Sequence, residues 1–133
     1  MLRTLLLALF VAASAGCGSK GPVLVPVSGK VVVNGKPAEY AVVVLHPVAP
    51  SDLPKPRGTV AADGSFTLTT HTTGDGAPPG EYRVTVEQWL AGPKADDPPS
   101  SRLPPKYAKP ETSGLTATVT DGATELKTIE IKR

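Results

Sequence analysis

The chain has 133 residues, room for one domain and little else. Only 5% of residues are aromatic, while 13 are glycine and 15 are proline, a composition that disfavours a helical bundle and suits short strands joined by turns. The formal net charge of +2 is weak, and the bases are dispersed without an interleaved aromatic platform, which argues against nucleic-acid binding.

Residues 1–16 read as an export signal. Met1-Leu2-Arg3 provides a short positive start, Leu5 to Ala13 is an apolar run too short to cross a bilayer, and Ser14-Ala15-Gly16 are small residues directly before Cys17. This arrangement resembles the lipobox of bacterial lipoproteins, with Ser14 standing where Leu is usual. The resemblance implies that the Cys17 thiol carries a diacylglyceryl group, that the signal is cut just before it, and that the new amine can be acylated in turn. The protein is then expected to be exported and lipid-anchored, facing the periplasm or the cell surface. Gly18 after the cysteine is, by family analogy, compatible with outer-membrane sorting. The alternative is that Cys17 is a small apolar residue in a signal cut elsewhere. It is the only cysteine, so no intramolecular disulfide can form.

Residues 17–26 read as a lipidated tether, with Gly, Ser, Lys and Pro but no alternation. Fully extended, such a stretch reaches roughly 30 Å. Domain residues 27–133 follow. Val27 to Val33 alternates and ends at Asn34-Gly35, a strong two-residue hairpin signal. Ala41 to Pro47 is a β-branched run with Ala41, Val43 and Leu45 inward, stopped by Pro47, Pro50, Pro54 and Pro56.

Arg57 to Trp89 organises the rest. Asp63-Gly64 between two runs rich in Val, Thr, Phe and Leu predicts a two-residue hairpin turn. A longer connection, with Gly74, Asp75-Gly76, Pro78-Pro79 and Gly80, predicts a second hairpin. Beyond it, Tyr82, Val84 and Val86 share one face of a strand and Arg83, Thr85 and Glu87 the other. From Ala91 to Pro110 the pattern gives way to a proline-rich loop of about twenty residues, a length that is usually functional or disordered. Strands resume at Leu115, Ala117 and Val119. After Asp121-Gly122 the last strand carries Ile129 and Ile131 inward, with Leu126 out of phase, as a bulge or a shifted strand start would leave it.

Seven short strands predict an all-β fold, a single antiparallel seven-stranded β-sandwich preceded by the signal. Val-Ser-Gly-Lys-Val at 27–31, Asn-Gly-Lys-Pro at 34–37, Val-Val-Leu-His-Pro at 43–47, Ala-Asp-Gly-Ser-Phe-Thr-Leu at 62–68 and Pro-Gly-Glu-Tyr-Arg-Val-Thr-Val at 79–86 resemble a carboxypeptidase regulatory-like domain. That resemblance implies the transthyretin-type, prealbumin-like sandwich. Leu-Pro-Pro-Lys-Tyr at 103–107 and Thr-Ser-Gly-Leu-Thr-Ala-Thr-Val at 112–119 further resemble a subgroup of small bacterial lipoproteins.

Catalysis is not expected. Hydroxyisourate hydrolases, which resemble transthyretin, end in Tyr-Arg-Gly-Ser, whereas this chain ends Ile-Glu-Ile-Lys-Arg. Ring-cleaving dioxygenases with a related sandwich bind iron through two Tyr and two His. Tyr40, Tyr82, Tyr107, His46 and His71 are present, but the His-x-His spacing is absent, and Tyr82 is in phase with core residues. The three Asp-Gly pairs lack the regular oxygen spacing of a calcium loop. No serine lies in a nucleophile-elbow pattern. No cofactor or metal is expected.

Two functions follow. One is a lipid-tethered, non-catalytic envelope module that spaces or docks other envelope proteins. The other is a small-ligand or glycan binder using the 89–114 loop, with Trp89 and Tyr107 as stacking rings. The first is preferred because the loop is mostly proline. On that reading Tyr107, with Leu103 beside it, latches the loop to the domain, and Trp89 caps the core at the end of its strand.

Overall fold

The structure, a computed structural model, describes residues 23–90, 94–96, 98 and 100–133. The expected signal at 1–16 and Cys17 lie outside the described residues. The described strands are β1 (Val27–Val33), β2 (Lys36–Pro37), β3 (Val42–Pro47), β4 (Arg57–Thr59), β5 (Ser65–Thr67), β6 (Gly80–Glu87), β7 (Trp89–Leu90), β8 (Ser100–Ser101), β9 (Leu115–Val119), β10 (Thr124–Glu125) and β11 (Ile129–Ile131). One 3-10 turn, Pro105–Ala108, precedes β9.

The fold is all-β, with two main sheets. β1 is the hub of the first, pairing with β2, β5, β10 and β11, and the second runs β4-β3-β6-β9. Alternation explains why these segments face each other. Along β1 the inward positions Val27, Val31 and Val33 are buried, and so are Val43 and Leu45 on β3 and Tyr82, Val84 and Val86 on β6. They join Phe66, Leu68, Ile129 and Ile131 in one apolar cluster. Complete burial of each large aliphatic side chain contributes about 1.5–3 kcal/mol. Gly29 interrupts the inward row of β1 because Phe66 lies directly across from it: a Cβ at Gly29 would sit 2.7 Å from the Phe66 ring.

The second sheet is antiparallel throughout, but the first is not. β10 and β11 run parallel to β1, so the expectation of a wholly antiparallel fold is corrected. A parallel pair needs a long crossover, and here nearly the whole domain lies between its two members. The parallel edge also explains Leu126. Two residues separate Ser28 from Val31, while three separate their partners Glu125 and Ile129, so the last strand bulges around Leu126.

The two hairpins expected between 57 and 87 are corrected as well. β4 pairs with β3, β5 with β1 and β6 with β3 and β9, so consecutive strands pass from sheet to sheet. An Arg57–Thr69 bridge, and the Ala61 N–H donating to the Ser65 carbonyl at 2.8 Å, are what remains of pairing between the arms around Asp63-Gly64. Only Gly64 of that pair has positive φ, at 87°. The Asp63 carboxylate accepts from the Ser65 N–H at 2.9 Å and the Ser65 hydroxyl at 2.6 Å, an Asx turn in place of the two-residue type. At Asn34-Gly35 both residues have positive φ, and the expected tight hairpin joins β1 to β2.

Within the stretch expected as tether, Val25 is already paired with the domain. Val25 continues the inward row of β1, is buried, and bridges Ala77 through two backbone hydrogen bonds of 3.0 Å. Gly76 permits this contact: its φ is +90°, and a Cβ there would lie 1.7 Å from the Val25 carbonyl oxygen. Some described residues of the proline-rich stretch take part in regular structure. Trp89 and Leu90 pair with Ser101 and Ser100, and the 3-10 turn packs against β6.

Candidate functional site

The expected site residues other than Cys17 lie in or beside the segment that joins β6 to β9. Leu103 and Tyr107 are buried in the same apolar cluster as the strands, with Tyr107 only 7% exposed. Pro105 at the start of the 3-10 turn presets its backbone, and the Tyr107 N–H donates to the Pro104 carbonyl at 3.1 Å. Lys106 Nζ lies 4.9 Å from the centre of the Tyr107 ring. The turn is closed behind by Thr112, whose hydroxyl donates to the Lys106 carbonyl at 2.7 Å, and by the Ser113 N–H, which donates to the Lys109 carbonyl at 2.9 Å.

Trp89 behaves differently. It is 54% exposed, and its indole N–H donates to the Glu87 carboxylate at 2.7 Å. The expectation that Trp89 caps the core is therefore corrected: the chain turns after β6 into the β7–β8 pair and carries the ring outward. The structure does not bring Trp89 and Tyr107 together as a pair of stacking rings, because Tyr107 turns its ring into the core.

The residues weighed for iron ligation do not converge. Tyr82 is buried and its hydroxyl donates to the Pro78 carbonyl at 2.5 Å, with burial raising its pKa. Tyr40 is exposed, and His71 is exposed in the turn after β5. His46 Nε2 is hydrogen-bonded to Thr85 Oγ1 at 2.9 Å. Partial burial lowers the His46 pKa, the Lys55 charge adds to this, and Glu111 opposes it. Among the described residues no group of three or more His, Cys, Asp or Glu is placed to hold a metal ion.

Parity along β6 puts Thr85 on the outer face, yet it is only 4% exposed. Its hydroxyl meets His46, and the segment after β8 packs along β6. Sequence alternation missed this because the cover comes from residues some twenty positions away.

Asp75 organises the turn between β5 and β6. Its carboxylate accepts the backbone N–H groups of Thr70 at 2.7 Å, His71 at 2.9 Å and Thr72 at 2.8 Å. Those bonds, led by the one from Thr70, hold its pKa below the ordinary value. The turn is thus complete in itself and has the chemistry of a cap, with Gly76 behind it against Val25.

Two cavities open elsewhere on the domain. One of about 380 Å³ is lined by Pro47, Pro50, Leu53, Pro79 and Glu81 among others. Another of about 370 Å³ lies between β9 and the β10–β11 edge, against Thr118, Glu125 and Leu126. Neither is lined by Trp89, Leu103 or Tyr107.

No protein-family profile matches the chain, and no curated protein does. Two solved structures are similar to it. A 9R-lipoxygenase from Cyanothece PCC8801 aligns with a TM-score of 0.42 at 14% identity, over 82% of this chain and 16% of the lipoxygenase. A candidate carbohydrate-binding protein from Pseudomonas aeruginosa aligns with a TM-score of 0.39 at 14% identity, over 87% of this chain and 92% of that one. At these TM-scores neither similarity bears on function.

Proposed function

We propose that this is an exported lipoprotein, anchored to the bacterial envelope through a lipid on Cys17, whose two-sheet domain serves as a non-catalytic structural or protein-interaction module. The observation that carries the reading is the lone cysteine behind a short apolar run and three small residues. On this reading the residues between Cys17 and the Val25–Ala77 bridge tether the domain to the lipid. Seven such residues extended reach roughly 25 Å.

The domain itself is read as a prealbumin-like sandwich of the carboxypeptidase regulatory-like kind. Setting aside the two-residue strands β2, β7 and β8, and counting β10 and β11 as one bulged strand, seven principal strands remain in support. Leu103 and Tyr107 act as a latch that closes the β6–β9 connection onto the domain, for which their burial is the support. The glycan-binding alternative built on Trp89 with Tyr107 loses one of its two rings to the core.

The test is detergent phase partitioning of the wild type and Cys17→Ala in a bacterial host. The wild type should enter the detergent phase, since each buried acyl methylene adds about 0.8 kcal/mol of membrane affinity. Cys17→Ala should stay unprocessed or be released. A wild-type protein that remains in the aqueous phase would end the lipoprotein reading.

A further inference from the structure

Among the described residues two large aromatic side chains are left facing solvent, Tyr40 at 61% and Trp89 at 54% exposure. They stand at one end of the same strand pair. Val42 opposite Glu87 closes the β3–β6 ladder, and Tyr40 and Trp89 each lie two residues beyond it. Gln88 Nε2 donates to the Glu39 carbonyl at 2.9 Å, which ties together the residues immediately before both aromatics.

Tyr40 also has a backbone that side chains avoid. Its φ is +67°, in the left-handed region, held there by its N–H donating to the Val60 carbonyl at 2.9 Å. A ring at such a position that buries little of itself gains little for the fold, and strain of this kind gathers at binding surfaces. Trp89 is fixed in turn by its bond to Glu87, which sets a carboxylate beside the indole.

The position of this corner matters as much as its chemistry. The chain comes into the fold at the Val25–Ala77 bridge, and β6 starts three residues after Ala77. From there β6 runs its eight residues to Glu87, roughly 26 Å. The corner is therefore at the end of the domain away from residue 23.

We infer that the Tyr40–Trp89 corner is a contact site for a glycan, with pyranose rings laid on the two exposed aromatic faces and sugar hydroxyls donating to the Glu87 carboxylate. Neither ring lines the two cavities described above, and an occupant of so exposed a corner is held by its face. The aliphatic face of a sugar meets an aromatic ring in that way, while its rim of hydroxyls suits a carboxylate. A quaternary cation is held best between rings that enclose it, which this open corner does not do. The inference does not depend on the lipid; an anchor at Cys17 only turns the corner away from the membrane.

Trp89 is the single tryptophan, so its emission reports directly on the site. Full-length protein in detergent is titrated with chitohexaose, cellohexaose and xylohexaose, and separately with tetramethylammonium. At least one hexasaccharide should shift the emission saturably. Tyr40→Gly should weaken that binding about two- to tenfold, the weight of one stacking contact, while raising the melting temperature as the backbone strain is released. Tyr40→Asn, which also tolerates the left-handed backbone, should behave alike. No saturable shift with any of the three sugars, affinity unchanged in both variants, a fall in melting temperature in both, or a response to tetramethylammonium alone would each overturn the inference. Failure of the sugars to bind would leave partitioning through Cys17 untouched, so the two ideas fail separately.

Discussion

Gly76→Ala tests the account of how the chain is seated in the fold. The substitution places a methyl group 1.7 Å from the Val25 carbonyl oxygen, where atoms in contact need about twice that separation. Adopting φ of +90° costs an alanine about 1–2 kcal/mol. Relief of the clash must separate Val25 from Ala77, which gives up two backbone hydrogen bonds of 3.0 Å, about 1 kcal/mol each. It also lifts the buried Val25 side chain from the cluster, about 1.5 kcal/mol more. Together the loss is about 4.5–5.5 kcal/mol. Gly35→Ala is the matched control: its φ is +81°, but nothing lies within 4 Å of the added Cβ, so only about 1–2 kcal/mol should be lost there. Urea denaturation of both full-length variants gives the comparison directly. Equal losses at the two positions would refute the close approach of Val25 to Gly76, and with it the seating of Val25 against Ala77.

Phe66→Ala should destabilise the domain by about 3–5 kcal/mol in the same assay, while exposed Thr67→Ala should change it by less than about 0.5 kcal/mol; the reverse order would mean that the phase of β5 is inverted. Asp75 binds its proton less readily in the folded protein, so the stability it contributes is fully present above the unfolded carboxylate value of about 4 and fades as pH falls through its lower folded value. Stability measured against pH should therefore fall less steeply on the acid side in Asp75→Asn than in the wild type, and parallel acid limbs would contradict the cap. Tyr107→Ala should lower the melting temperature and speed protease cleavage between Leu90 and Leu115 without abolishing the fold; unchanged melting and cleavage would remove the latch.

Much of the fold was legible because alternation reports which face is buried. The inward rows of β1, β3 and β6 follow directly from Val31 and Val33, Val43 and Leu45, and Tyr82 to Val86. Period alone does not say which strand lies beside which, so the parallel placement of β10 and β11 on β1 could not be read from it. Nor could the divergence of β4 and β5 after Asp63-Gly64: a turn signal says that the chain reverses, not that the arms stay paired. The misplaced Leu126 was the one local clue to the bulge. At the surface, Trp89 could be picked out but its exposure could not, because a ring at a strand end can turn either way. The left-handed backbone of Tyr40 was not legible, since neither Gly nor Asn marks it. Cys17 has the opposite character: it is legible only as sequence, through the run of residues before it.

The most direct measurement of the central claim is mass spectrometry of the membrane-fraction protein from a bacterial host. The account predicts that the mature chain starts at Cys17 and that its first peptide carries the mass of a diacylglyceryl group. A mature chain that starts at another residue, or an N-terminal Cys17 peptide with an unmodified thiol, would contradict it.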